Sequence, residues 1–459
     1  MGVLSIVALG SFVMILNETI MSVALPVLMG QFQLTAATVQ WLTTAFMLTM
    51  AVVIPTTGWL LTRVPIRTVF LLSTGFFVFG TAVAGTAPVF SLLVTGRVIQ
   101  AAGTAIMLPL MMTTMLTVVP LHLRGRTMGI VSIIIAVAPA VGPTAGGLIL
   151  HWLNWRWMFF FILPIGALVM LLGWWRLRDV TETRKVPLDV FSVVLSAIGF
   201  AGVIYGLSSI GEAATGNAVI PPWVPLVAGA IALVIFTGRQ LSLQDFALLN
   251  LRVFAVPTFT LSTVCVLIAM VGLFGVIVIL PIYMQDILNF STQDTGLALL
   301  PGGIVMAGLG WLIGRAYDSV GARPLLIPGS LLVSAGMWLM TTFDANTSIQ
   351  ALIATHVVMS VGLACLMGPL FTSALNSLTP QLYSHGSATI NTLQQVAAAG
   401  GTSLYITVMT VATTLGVGRG QDPAVAEMTG IHHALLCGAV LSLVTVGLVP
   451  CVKTPTPVT

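Results

Sequence analysis

The chain has 459 residues and a formal net charge of +4, and 58% of its residues are hydrophobic against 6% charged. With a mean hydropathy of +1.09, this composition excludes a soluble multidomain protein and leaves a polytopic membrane protein. The basic residues stand singly with no aromatic-interleaved patch, which excludes nucleic acid as a partner, and Cys265, Cys365, Cys437 and Cys451 lie in apolar runs without CxxC spacing, which excludes a disulfide framework or a zinc site.

Apolar runs of about 18 to 27 residues between polar or Gly/Pro punctuation predict fourteen membrane-spanning helices. They fall at about 4–28, 38–61, 67–87, 89–118, 127–150, 156–176, 188–210, 222–238, 255–283, 294–314, 324–342, 349–375, 387–414 and 430–452. No positively charged leader with a small-residue cleavage site precedes the first run, so it is expected to span the membrane rather than be removed. The only lysines are Lys185 and Lys453, and no GxxxxGK[ST] occurs, so the phosphate cradle of an ATP-driven pump is absent from the sequence.

The first predicted helix contains Leu16-Asn17-Glu18-Thr19-Ile20. Glu18 is the acid that lies deep in an apolar span, while the others sit in loops or near helix ends. A charge at helix centre costs at least ~2.5 kcal/mol, so an intramembrane acid is a functional candidate by default. The alternative is a buried, satisfied carboxyl with no mechanistic use. At ~1.5 Å per residue, Glu18, Arg97 of the fourth helix and His356 of the twelfth all lie roughly 10 to 15 Å from one end of their helices. Arg97 in such a layer needs an acidic partner, and Glu18 is the expected one. His356 either titrates near physiological pH or is hydrogen-bonded within a helix interface.

The fifth predicted helix contains Ala138-Pro139-Ala140-Val141-Gly142-Pro143-Thr144-Ala145-Gly146-Gly147. Each proline removes a backbone donor and bends the helix. Ala138, Gly142 and Gly146 recur every four residues, a small-residue stripe that lets a neighbouring helix approach closely. A bendable, close-packed helix suits a gate, and a plain packing stripe is the other reading.

If the first residue lies on the cytoplasmic side, the inside loops and tail hold Arg63, Arg67, Arg124, Arg126, Arg176, Arg178, Arg184, Lys185, Arg239, Arg252, Arg315, Arg323 and Lys453, thirteen of the sixteen basic residues. The positive-inside rule then places both termini in the cytoplasm. The polar stretches at 176–189 and 239–252 divide the chain into an N-terminal six-helix bundle (1–176), a linker with two extra helices (177–252) and a C-terminal six-helix bundle (253–459). An internal repeat supports two like-oriented halves. Gly58, Thr62, Pro65 and Arg67 recur as Gly314, Asp318, Gly321 and Arg323, and Gly96-Arg97 to Gly103 recurs as Thr355-His356 to Gly362.

Amides within hydrocarbon need partners and face the bundle, which marks Asn391, Gln394 and Gln395 as pocket candidates. Met107, in a methionine-rich stretch of the fourth helix, suits adaptable apolar binding.

Several of these motifs resemble the major facilitator superfamily. The GPxxGG of Gly142, Pro143, Gly146 and Gly147 resembles the antiporter motif of its drug:proton exporters. The loops around Gly58, Arg63 and Arg67 and around Gly314, Asp318, Gly321 and Arg323 resemble its inside-loop gating motif, and Arg97 to Gly103 resembles its fourth-helix RxxQGxG. Asn17 to Pro26 and Trp155-Arg156-Trp157 resemble motifs of the fourteen-helix branch, nearest to lincomycin and multidrug exporters.

The resemblance implies an all-α polytopic fold of two six-helix bundles plus two inserted helices. It also implies alternating-access export of lipophilic or cationic drugs or antibiotics in exchange for protons, by a functional monomer in the bacterial inner membrane, without enzymatic activity, cofactor or metal. Glu18, Arg97 and His356 are the expected proton-coupling residues. Asn17, Glu18, Met107, Asn391, Gln394 and Gln395 are the expected substrate contacts. The chain departs from the family in having Thr62 for the aspartate of the first loop motif, Pro65 for its second glycine, and Asn17 at the acid position, with Glu18 next to it about 100° round the helix. A nutrient symporter of the same fold is the alternative, against which GPxxGG argues. An antiporter-like respiratory subunit would need intramembrane lysines that the sequence lacks.

Overall fold

Pro65, Pro222 and Pro257 stand at helix starts, whereas Pro55, Pro109, Pro164, Pro301, Pro328 and Pro369 lie within helices. The computed structural model describes residues 2–34, 36–120, 145–150, 152–177, 189–214, 220–244 and 247–452, with Leu123, Thr127, Val131, Ala138, Val141 and Gly142 as single positions. The first predicted span is not one helix. It forms α1 (Gly2–Ile20), a 3-10 turn (Met21–Ala24) and α2 (Leu25–Phe32), because Pro26 has no N–H for the α-helical ladder and the tighter turn takes up the break.

The helices α3 (Ala36–Arg63), α4 (Ile66–Gly85), α5 (Phe90–Val118), α6 (Arg156–Arg176), α7 (Val190–Ala214), α8 (Trp223–Leu243), α9 (Pro257–Ile282), α10 (Thr292–Val320), α11 (Arg323–Met340), α12 (Ile349–Asn376), α13 (Tyr383–Gly418) and α14 (Pro423–Leu448) follow. Among the described residues there is no strand, and 13 helical spans are long and apolar enough to cross a membrane. The predicted span at 127–150 lies mostly outside the described residues, Pro143 included, and the positions that are described within it are helical.

Local chemistry explains several ends. Ser291 caps α10 by accepting from the Asp294 N–H at 3.1 Å, and Asp422 caps α14 by accepting from Ala424 N–H at 3.0 Å. Gly321, at φ 80°, closes α10 in a backbone conformation that a side chain would strain. The eighth predicted span, expected to end near 238, continues to Leu243. Its polar residues stay helical because each finds a partner: Arg239 pairs with Asp189 and Gln240 donates to Ser192 Oγ at 2.7 Å.

Short connections make the helices alternate in direction. At the end where α3 finishes, Arg67 Nη2 at the start of α4 donates to Trp174 O at the end of α6 (2.7 Å), and Arg323 Nε at the start of α11 donates to Val452 O beyond α14 (3.2 Å). At the opposite end, Arg156 Nη2 donates to Ala87 O (3.0 Å) and Tyr283 OH to Asp344 O (2.7 Å).

The internal repeat reappears as packing. On α5, a Cβ at Gly103 would stand 2.8 Å from Phe77 N of α4; on α12, one at Gly362 would stand 2.6 Å from Val333 N of α11. Both pairs therefore touch backbone to backbone at matching positions, the close approach that small residues permit.

Helix α7 lies against α3 and α13 together, through Ala51, Phe200, Ile204 and Ala399. At the Arg63 end the bundle is tightly closed. Pro109 to Leu116 of α5 and Ser384 to Thr392 of α13 are buried, α5 packs on α13, and Gly58 of α3 sits against His385 of α13.

Candidate functional site

Arg97 is 1% exposed in the middle of the N-terminal helices. A buried guanidinium is tolerated only with partners that replace water. Its Nη1 donates to Asn17 Oδ1 at 2.9 Å, to Asn17 O at 3.4 Å and to Gln100 Oε1 at 3.1 Å, and its Cζ lies 4.2 Å from the centre of the Phe46 ring. Gln100 Nε2 in turn donates to Thr81 Oγ1 at 2.8 Å, and the Thr81 hydroxyl to Phe77 O at 2.6 Å. A directed chain of neutral groups thus fixes the guanidinium between α1, α3, α4 and α5.

The expected partnership of Arg97 with Glu18 is one of charge proximity and not of direct contact. Consecutive residues on a helix point about 100° apart, and here Asn17 takes the face towards Arg97. Glu18 is half-buried, with no hydrogen bond and no ion pair among the described residues, and Arg97 is the one charge that acts on it, from beyond hydrogen-bonding reach. Two nitrogens of the cluster, Asn17 Nδ2 and Arg97 Nε, are buried without an acceptor among the described residues.

The antiporter-motif glycines meet α1 at this level. A Cβ at Gly142 would collide with the side chain of Thr19, and one at Gly146 would stand 2.8 Å from Ile20 O. The Thr19 hydroxyl lies 3.3 Å from Ala138 O. The small-residue stripe is therefore the seat of α1, one residue beyond Glu18. Gly147 faces open space, with nothing within 4 Å. Pro143 lies outside the described residues.

His356, the repeat counterpart of Arg97, is not part of this cluster. It is half-buried on α12 against Gly302 of α10, where a Cβ would strike its ring, and its Nδ1 has no partner. Met107 is fully buried, and its Cε lies 3.2 Å from where a Gly10 Cβ would be, so it fills the contact between α1 and α5. The α13 amides diverge. Asn391 Nδ2 bonds back to Ser387 O at 2.8 Å, Gln395 Nε2 meets Met50 Sδ of α3 at 3.2 Å, and Gln394 is half-buried with no hydrogen bond among the described residues.

The two loop motifs also differ. Gly58 packs beneath His385 Nδ1, 3.1 Å from an added Cβ, and beneath Leu248 O at 3.3 Å. Arg63 lies 5.6 Å from the centre of the Trp59 ring, and Thr62 Oγ1 donates to Trp59 O at 2.7 Å. In the second motif Gly314 is buried, whereas Asp318 and Arg323 are exposed.

Sequence reasoning missed three participants. Phe46 carries no motif and is found only by its position under Arg97. Gln100 belongs to the RxxQ stretch, but the pattern gives it no partner of its own. The connector at 247–250 reads as an ordinary loop, yet all four residues are buried. Leu249 N–H donates to Gln240 Oε1 at 3.1 Å and Asn250 N–H to His385 Nδ1 at 3.4 Å.

Comparison with known proteins agrees with this architecture. The family profile described as Major Facilitator Superfamily matches residues 7–402. The lincomycin resistance protein LmrB of Listeria monocytogenes is 37% identical over 443 residues, covering 95% of this chain and 93% of that protein. A multidrug resistance protein B homolog of Mycobacterium tuberculosis is 28% identical over 402 residues, covering 86% and 73% respectively. Among solved structures, the human organic anion transporter MFSD10 superposes with a TM-score of 0.72 at 15% identity over 98% of this chain and 99% of that one, a likeness of fold.

Proposed function

The chain belongs to the major facilitator superfamily, and from that premise we propose that it is a proton-coupled antiporter exporting lipophilic or cationic drugs or antibiotics from a bacterial cytoplasm. Its relatives are named for lincomycin and multidrug resistance, which supports the substrate class. The observation that carries the proton coupling is Glu18, a carboxylate in a membrane helix that has no hydrogen bond among the described residues while Arg97 acts on it through charge. Such a group changes its protonation state without first breaking an ion pair.

In this reading the Arg63 end is cytoplasmic, as the distribution of basic residues supports, and the closed end makes the structure outward-facing. Glu18 takes a proton from outside as drug leaves, the two halves rock about the central seam, and Glu18 releases the proton to the cytoplasm when drug enters. Residues 1–176 and 253–459 are the rocking halves, with 177–252 inserted between them. Each proton moving down 100 mV supplies ~2.3 kcal/mol, enough for roughly 50-fold accumulation at one-to-one coupling.

The test is drug-induced proton release from proteoliposomes under an imposed pH gradient, with lincomycin and a cationic dye as the drugs. Glu18→Gln is expected to abolish release while leaving downhill drug exchange. Undiminished release in that variant rejects the assignment.

A further inference from the structure

The group that occupies Arg97 is Asn17, and its chemistry differs from what a coupling site would be expected to place there. A carboxylate at position 17 would form a buried ion pair with Arg97. Removing one charge of such a pair leaves the other buried and uncompensated, so an acid held that way would resist taking up a proton. Asparagine offers the same carbonyl geometry with no charge. It accepts from Nη1 at 2.9 Å, Gln100 accepts from the same nitrogen at 3.1 Å, and the Phe46 ring covers the guanidinium.

Asn17 is itself 1% exposed and therefore closed to a substrate in this conformation, unlike the half-buried Glu18 beside it. Among the described residues Asn17 Nδ2 and Arg97 Nε have no acceptor, so the cluster holds more donors than acceptors there.

The charges around Glu18 are few. Within the described residues α1 carries no second titratable acid or base, and α5 presents Arg97. The described positions of the helix at 127–150 that meet α1, Ala138, Gly142 and Gly146, carry no charge, and Arg156 of α6 is engaged with Ala87 O and the Trp155 ring.

We propose that Asn17 is a positioning residue: by holding Arg97 with a neutral amide it keeps the guanidinium off Glu18, so that one carboxylate carries the exchanged proton and the arginine stays fixed throughout the cycle. This rests on the reading of Glu18 as the proton carrier. It reassigns Asn17 from substrate contact to the control of its neighbour.

The experiment is the pH profile of drug-induced proton release for the full-length protein in proteoliposomes, with lincomycin as the drug. Asn17→Ala frees Arg97 to pair with Glu18, which favours the ionised carboxylate, so the midpoint is expected to move to lower pH by about one unit. Asn17→Leu, whose branched side chain has as many heavy atoms as that of asparagine, repeats this without opening a cavity. Asn17→Asp adds a negative charge beside Glu18 and is expected to move the midpoint to higher pH by about one unit.

In a Glu18→Gln background each of these variants is expected to show no drug-induced release at any pH. An unchanged midpoint in Asn17→Ala and Asn17→Leu, or shifts of the same sign in Asn17→Leu and Asn17→Asp, overturns the proposal, because a merely structural residue moves rate and yield but not the midpoint. Should the apolar variants fail to accumulate, Asn17→Asp decides the matter, since an unchanged or lower midpoint in that isosteric variant is equally fatal. Release that persists in Glu18→Gln alone instead rejects the reading of Glu18 on which the proposal stands.

Discussion

A side-chain carbon at Gly146 would stand 2.8 Å from the carbonyl oxygen of Ile20, and at Gly147 it would meet nothing within 4 Å. Two adjacent glycines of one motif are thus unequal, one seated against the backbone of α1 and the other turned away. Gly146→Leu is expected to abolish drug resistance while the protein still inserts, because a branched side chain against backbone forces the helices apart. Gly147→Leu is expected to retain most of the resistance. Drug-susceptibility tests at matched membrane expression check both, and equal loss in the two variants contradicts the packing argument.

The loop motifs differ in the same way. Thr62 gives its hydroxyl to Trp59 O one turn back in its own helix. Thr62→Ala is therefore expected to change stability by less than about 0.5 kcal/mol and to leave transport close to normal. Asp318→Asn, which removes the charge in the second half, is expected to slow turnover strongly. Initial rates of dye efflux in everted vesicles measure this, and comparable rates for the two variants would argue against the asymmetry.

Gln240 joins α7 and α8 to the buried connector, donating to Ser192 Oγ and accepting from Leu249 N–H. Gln240→Leu leaves that N–H, in a residue 2% exposed, without an acceptor. A loss of about 1 to 3 kcal/mol follows, read as a lower midpoint in a thiol-reactive thermal unfolding assay.

Asp189, in the loop before α7, is held down to about 2 from its ordinary 3.8, chiefly by the hydrogen bonds it receives from Arg239 at 2.7 and 3.0 Å. Because the folded value lies below the unfolded one, this contribution is complete above pH 3.8 and is lost as pH falls towards about 2. Arg239 is substantially exposed, so the effect is small. Asp189→Asn is expected to lower the thermal midpoint slightly at pH 6 and to converge on the parent protein near pH 2, as detergent-solubilised melting curves across pH would show.

Membrane helices are legible in a sequence because burial in hydrocarbon requires a long apolar run with its backbone bonds satisfied internally. That constraint makes the predicted spans agree closely with α3 to α14, and it makes Glu18 and Arg97 conspicuous as charges within apolar runs. It also picks out the glycine stripe at Ala138, Gly142 and Gly146, since close helix approach demands small side chains wherever it occurs. Apolar runs do not register a partnered polar residue, so the continuation of α8 through Arg239 and Gln240 is illegible in them: the bonds that keep it helical come from Asp189, Ser192 and Leu249 elsewhere in the chain.

Which of two neighbouring residues faces Arg97 was decided by the tertiary structure alone. Asn17 and Glu18 lie at the same depth and differ by about 100° of rotation, and that rotation is set by where Ala138, Gly142 and Gly146 seat α1 through Thr19 and Ile20. Sequence spacing therefore determined that a carboxylate, an amide and a guanidinium occupy one layer of the membrane. Only the packing of α1 against its neighbours decided that the amide holds the guanidinium and the carboxylate stands apart.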